Sequence, residues 1–316
     1  MPKEERKMKG LLIISVFIVI IILLSINFIG EIKKDAFKHI ILDDRKDKGK
    51  MIKVLKERFF CDYKNYQDLE YEELEILSSD GFKLKGYYYN KYPDSNKVMI
   101  IHHGYTANHY VCIQFLDIFF EEGFNVLLVD MRSHGESEGE YITYGYKEQK
   151  DLDIWVNLIR NKIGENGMIG LHGQSMGGAT VLMYGGNYSE KIDFVIADCA
   201  YSNGKEILRY QFKQADVPFF PIYNMVNRQC KSKCGFDMNN ISPIDCIKDN
   251  EIPVLFVHGT GDNVVPVTMS EEMFSVKIGN KNKLVIIPDA VHVGAYAKDK
   301  DTYVKAIREF ISELGI

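Results

Sequence analysis

The chain has 316 residues, 46% hydrophobic and 12% aromatic, which is enough to bury a sizeable core and too apolar for a disordered chain. Its formal net charge is −5, with 39 Lys and Arg dispersed among 44 Asp and Glu and no basic stripe, so a nucleic-acid partner is not expected. The six cysteines form no CxxC pair, which removes the common zinc and thiol-redox spacings.

In chain order, the first signal is the run Leu11–Ile29, uncharged and interrupted only by Ser15, Ser25 and Asn27. As a helix it would reach about 28 Å, close to the hydrocarbon thickness of a bilayer. A cleaved leader would have a shorter apolar region and small residues before the cut, whereas here Phe28 precedes Gly30. Residues 1–30 are therefore expected to form a single-pass membrane anchor in contact with the lipid bilayer. Lys3, Arg6, Lys7 and Lys9 precede the run and Lys33, Lys34 and Lys38 follow it, a small bias toward an extracytoplasmic main domain. Residues 31–66 carry apolar residues at helical spacing (Ile32, Ala36, Phe37, Ile40 and Ile41, then Met51, Val54, Leu55 and Phe59) with a polar break at Asp43–Lys50. They read as a helical stalk, or a flap packed beside the domain.

Residues 67–316 alternate strand and helix. Strands are expected at Glu70–Leu77 and Phe82–Asn90, joined by Ser79-Asp80-Gly81, and at the apolar runs Lys97–His103, Asn125–Asp130, Met168–His172, Phe194–Asp198, Val254–His258 and Leu284–Ile287. Helices are expected at Tyr110–Glu122, Tyr146–Lys162, Met176–Tyr188, Ser270–Val276 and Thr302–Leu314. Such alternation gives a mostly parallel sheet covered on both faces. Residues 201–248 interrupt it at more length than a connection needs. Their Phe212, Phe219, Phe220, Tyr223, Met225, Phe236 and Met238 suggest a lid with an apolar underside, with Phe219 and Phe220 lining a pocket; the alternative is a peripheral helical elaboration. Cys230 and Cys234 would share a helix face, where a disulfide would need an oxidising compartment; a chain of this size favours free thiols.

The chemistry centres on Gly173-Gln174-Ser175-Met176-Gly177. G-x-S-x-G is weak as a pattern, but here a buried strand ends as a small-residue helix begins. Such a turn exposes the Ser175 hydroxyl, Gly173 and Gly177 let strand and helix approach, and the helix N-terminus favours developing negative charge. A serine nucleophile needs a base, and the base needs a carboxylate. His292, in PDAVHVGAY after a predicted strand, is the candidate base. Asp262, in HGTGDNVVP after another, is the candidate acid, with Asp198 as its rival. The backbone amides of Met176 and Tyr105 are the candidate oxyanion donors. His102, His103, His134, His172 and His258 read as residues that bond loops rather than titrate in catalysis. No metal-ligand cluster, phosphate loop or dinucleotide turn competes, and neither cofactor nor metal is expected.

The segments HHGYTAN, DMRSHGESEG, GQSMGG, HGTGDNVVP and PDAVHVGAY resemble the successive motifs of the α/β-hydrolase superfamily, in particular its bacterial serine aminopeptidase-like and esterase-like branch. The resemblance spans about residues 66–316. It implies an α/β-hydrolase fold with an eight-stranded sheet, no cofactor, and the triad Ser175, Asp262 and His292. Asp130–Gly135 matches a motif that is structural in the family. The expected activity is hydrolysis of a small-molecule carboxylic ester through an acyl-enzyme. A thioesterase, or a small-peptide or aminoacyl hydrolase, would use the same triad. A non-catalytic membrane-anchored binding protein of the same fold is the reading from a different class.

Overall fold

The computed structural model describes residue 31 and residues 35–38, 40–42 and 47–315. The anchor expected over residues 1–30 lies outside the described residues. Among the described residues no helix is long and apolar enough to cross a membrane.

Eight strands form one sheet: β1 (Glu72–Leu77), β2 (Lys83–Tyr89), β3 (Lys97–His102), β4 (Asn125–Val129), β5 (Met168–Gln174), β6 (Phe194–Asp198), β7 (Val254–Gly259) and β8 (Lys283–Ile287). Their order is β1-β2-β4-β3-β5-β6-β7-β8, with β2 antiparallel to β1 and β4 and every other pairing parallel. The helices are α1 (Lys48–Phe59), α2 (His109–Cys112), α3 (Leu116–Glu121), α4 (Glu148–Ile163), α5 (Met176–Asn187), α6 (Gly204–Gln214), α7 (Phe219–Gln229), α8 (Pro243–Ile247), α9 (Thr268–Val276), α10 (Ala295–Lys298) and α11 (Lys300–Leu314).

The central strands are apolar throughout because both faces are covered. Successive side chains point to opposite faces, so Met99 and Ile101 of β3 join the core under α1, α2, α3 and α11, while Val98 and Ile100 join the core under α4 and α5. Leu55, Phe115 and Phe310 fill the first layer; Trp155, Leu182 and Phe256 fill the second. The helix expected over Tyr110–Glu122 is broken by a 3₁₀ turn at Ile113–Phe115. There Gln114 Nε2 donates to the Val111 carbonyl at 2.7 Å, an acceptor that an uninterrupted α-helix would have used for its own ladder.

A third apolar cluster roofs the sheet's C-terminal edge. The insertion between β6 and β7 contributes Ile207, Leu208, Tyr223, Val226, Phe236 and Met238, which pack on Met176, Ala179 and Met183 of α5. Asn203 caps α6 by accepting from the Lys205 and Glu206 amides. The segment before β1 joins the same roof: Phe37 and Ile41 are buried, the Ile142 amide donates to the Ile41 carbonyl at 3.0 Å, and Tyr144 Oη donates to the Ile40 carbonyl at 2.9 Å. Helix α1 buries Met51, Leu55 and Phe59, so the described part of residues 31–66 packs against the domain. All six cysteines are unpaired, Cys230 and Cys234 included.

The stretch Asp130–Gly135 is a scaffold. Asp130 Oδ1 accepts from the His109 amide at 2.8 Å and its Oδ2 from the Glu136 amide at 2.9 Å. The buried Arg132 guanidinium grips Asp151 at 2.6 Å and Asp80 at 2.9 Å, tying the hairpin turn to α4. Asp130 and Arg132 thus fasten neighbouring segments of the fold, and no residue of the stretch lines the cavity described below.

Candidate active site

Ser175 sits between β5 and α5 at φ 54°, ψ −116°, a backbone conformation that costs an L-residue energy and is kept only where the surroundings enforce it. The Ser175 amide donates to the Asp198 carbonyl at 2.8 Å, and the Ser175 carbonyl accepts from Ala179 at 2.9 Å. A Cβ at Gly173 would collide with the Gly177 carbonyl, and one at Gly177 with the His102 and His103 carbonyls. Only glycine lets α5 seat this close to β5 and β3.

His292 lies in the loop after β8, beside Val293, a β-branched residue held at φ 52°. This loop is stitched to the one after β7: the Gly261 amide donates to the Ala290 carbonyl at 3.0 Å and the Asp289 amide to Thr260 Oγ1 at 2.8 Å. The structure brings Ser175, Asp262 and His292 together. Ser175 Oγ stands 2.9 Å from His292 Nε2, and His292 Nδ1 stands 2.7 Å from Asp262 Oδ2. A carboxylate can only accept, so Nδ1 carries the proton and Nε2 is left to accept from the serine hydroxyl.

Asp262 is 5% exposed. Burial alone would raise its pKa, but hydrogen bonds from His258 and His292, the electrostatic attraction of the adjoining His292 ring and the Val265 amide outweigh it and hold the carboxyl well below the usual carboxylate range. The Val264 and Val265 amides each donate to Oδ1 at 2.8 Å, fixing the carboxylate plane. His258 Nε2 lies 3.2 Å from Oδ2 and 3.0 Å from the Val265 carbonyl, while its Nδ1 meets Ser270 Oγ at 2.7 Å. His258 thus braces the acid, a role that its place at a strand end did not disclose. Asp198 is elsewhere engaged: its Oδ2 accepts from Gln174 Nε2 at 2.9 Å and Tyr303 Oη at 3.2 Å, and burial pushes its carboxyl up.

Met176 and Tyr105 flank Ser175 in the cavity wall, and Gly104 comes close enough that a Cβ there would lie 3.4 Å from the Ser175 Cβ. Two buried histidines hold this loop. His103 Nε2 accepts from the Met131 amide at 3.0 Å, and His134 Nε2 from the Thr106 amide at 3.2 Å. Cys199, Asp262 and His292 bring potential metal-ligand atoms within 4.8 Å of one another. Burial keeps the Cys199 thiol well above its ordinary pKa, and the other two are already paired, so the group suits a hydrogen-bond relay better than a metal.

Ser175 and His292 open into a cavity of about 330 Å³. Ile207, Leu208 and Phe212 of α6 form one side, and Met51, Val54, Arg58 and Phe59 of α1 another. Phe219 and Phe220, expected in the lining, are not there. Phe219 packs on Phe212 and Tyr223, and Phe220 is 72% exposed, because the chain at Phe220 departs from helical geometry and turns that ring outward. The contribution of α1 was not foreseen: helical spacing marked its apolar face but not what that face meets.

An eight-stranded, mostly parallel sheet with a serine on the turn after β5 defines the class. The chain belongs to the α/β-hydrolase family, and its residues 97–217 match the family model described as alpha/beta hydrolase fold. The uncharacterised protein YqkD of Bacillus subtilis is 33% identical over 283 residues, 89% of this chain and 92% of that protein. The uncharacterised membrane protein YNL320W of Saccharomyces cerevisiae is 24% identical over 82% of this chain and 85% of its own length. Among solved structures, an esterase of Pyrococcus furiosus superposes with a TM-score of 0.64 at 25% identity, covering 80% of this chain and 94% of that one.

Proposed function

We propose that the chain is a serine hydrolase that cleaves a carboxylic ester through an acyl-enzyme. The observation that carries this reading is the relay Ser175–His292–Asp262, with links of 2.9 and 2.7 Å, opening into a largely apolar cavity. Ser175 Oγ attacks the ester carbonyl carbon as His292 Nε2 takes its proton. The carbonyl oxygen becomes an oxyanion between the Met176 and Tyr105 amides, donors of a kind whose loss costs on the order of 3 kcal/mol in transition-state binding. Collapse expels the alcohol, which takes the proton from His292. Water activated by the same imidazole then releases the acid and restores Ser175. Asp262, ionised, holds the imidazole and stabilises its charged form.

The esterase neighbour supports an ester substrate, and the apolar walls support an aliphatic acyl group. A thioester would use the same relay. An aminoacyl or peptide substrate with a free ammonium group is less well matched, because no acidic side chain lines the cavity among the described residues. A panel of chromogenic ester, thioester and aminoacyl substrates tests this: turnover greatest on esters is expected, and aminoacyl turnover in excess of ester turnover would reverse the assignment.

For location, we propose that residues 1–30 anchor the chain in a membrane with the hydrolase domain on the extracytoplasmic side. The uncharged run Leu11–Ile29 and the membrane-protein relative support the anchor. The intact protein should stay in the membrane fraction after a carbonate wash. A mature form free in the medium and starting near residue 31 would mean a cleaved leader instead.

A further inference from the structure

We infer that Arg58 reads an anionic group on the substrate, so that the preferred ester carries a carboxylate or phosphate near its scissile bond; this rests on the ester-hydrolase reading above. Helix α1 is fixed at both ends. Asp47 accepts from the Lys50 amide at 2.8 Å, and Phe60, in the left-handed region, closes the helix through its amide to the Leu55 carbonyl. With Met51, Leu55 and Phe59 buried beneath it, the backbone of Arg58 is held at the cavity edge.

The guanidinium reaches the backbone of the loop that carries His292: Arg58 Nη2 donates to the His292 main-chain carbonyl at 2.6 Å. A guanidinium has five N–H donors, and this contact uses one. Arg132, Arg209 and Arg308 each pair with carboxylates, Arg160 is bonded to backbone carbonyls, and neither Arg160 nor Arg228 lines the cavity. Arg58 pairs with none among the described residues, although it lies next to the base. Among the described residues that line the cavity it is the one Lys, Arg, Asp or Glu. A guanidinium without an acid partner at the edge of an apolar cavity favours an anion that can accept two parallel N–H bonds, as a carboxylate or a phosphate does, and disfavours a cation. An exposed arginine is ordinarily content with water; this one is distinguished by its rigid mount, its contact with the catalytic loop and the lack of any acid in the lining.

The test compares matched esters on the wild type, R58Q and R58K. One arm sets p-nitrophenyl hemisuccinate against p-nitrophenyl butyrate, placing the anion on the acyl side. The other sets monobutyrylglycerol phosphate against monobutyrylglycerol, placing it on the alcohol side. The readout is the ratio of kcat/KM for the anionic over the neutral ester, which cancels any general loss from altered packing. In at least one arm that ratio should fall about 10-fold in R58Q, be partly kept in R58K, and fall with added salt in the wild type. The arm that responds locates the anion. A ratio equal in wild type and R58Q in both arms overturns the inference while leaving the hydrolase reading intact. Failure of the wild type to turn over any of the four esters overturns both.

Discussion

At the scale of residues, the site is a set of groups each given a single option by its partners. Asp262 receives two amides on one oxygen and two imidazoles on the other, so it stays ionised and fixed in plane. Asp198, buried, holds Ser175 in place by accepting its amide at the backbone carbonyl, and its carboxyl faces Gln174 and Tyr303. The two acids therefore separate under the same substitution. Asp262→Asn should lower kcat on the order of 10³–10⁴-fold, because it deprives His292 of the partner that sets its tautomer. Asp198→Asn should cost less than about 10-fold, since an amide can still accept from Gln174 and Tyr303. Ester turnover by the two purified variants, with folding checked by circular dichroism, decides the matter; the opposite ranking would make Asp198 the acid. Ser175, Asp262 and His292 were legible because each stands in a short motif at the end of a predicted strand. His258 and Arg58 were not, because their roles arise from contacts across loops that no local pattern encodes.

At the scale of elements, the cavity is built by pieces that lie outside the alternating core. Helix α6 presents Ile207, Leu208 and Phe212, and α1 presents Met51 and Val54. The core strands were easy to read as continuous apolar runs bounded by turns. The roof was not, since amphipathic helices show that they pack and not where. This is why Phe212, rather than Phe219 or Phe220, is the phenylalanine that the insertion contributes to the wall. Phe212→Ser should raise KM more for hexanoate and octanoate esters than for acetate, by about 5- to 10-fold on the longest chain, as buried apolar contact is removed. Phe220→Ser, on an exposed ring, should leave the chain-length profile within about twofold. Steady-state kinetics on a homologous ester series would show whether the two variants respond in that order; identical profiles would take α6 out of the acyl site.

At the scale of the whole molecule, the sheet order sets β5 beside β6 and β7 beside β8, so the three residues of the relay meet at one edge although they are far apart in sequence. The same sheet encloses histidines. His102, His103 and His172 are fully buried, and burial pushes each down to about 3. His102 Nδ1 and His172 Nδ1 have no hydrogen-bond partner among the described residues, as suits neutral rings. In the unfolded chain histidines protonate near about 6.5. The native state thus binds fewer protons than the unfolded state below that value: the stabilisation is full above it and is lost as pH falls toward 3. Unfolding at pH 5 should take up about three protons from these rings, and Tm should fall steadily between pH 7 and pH 5. A Tm flat over that window would mean the rings protonate within the fold.

Ser175 as nucleophile is tested by covalent labelling of the intact protein with a fluorophosphonate probe, the adduct located by peptide mass spectrometry and p-nitrophenyl butyrate turnover measured alongside. One adduct is expected, on Ser175, with turnover that disappears as it forms. Ser175→Ala should take no label and lose on the order of 10⁴-fold or more in kcat while remaining folded. Undiminished turnover by Ser175→Ala, or a label on another serine that accounts for the activity, would contradict Ser175 as the nucleophile.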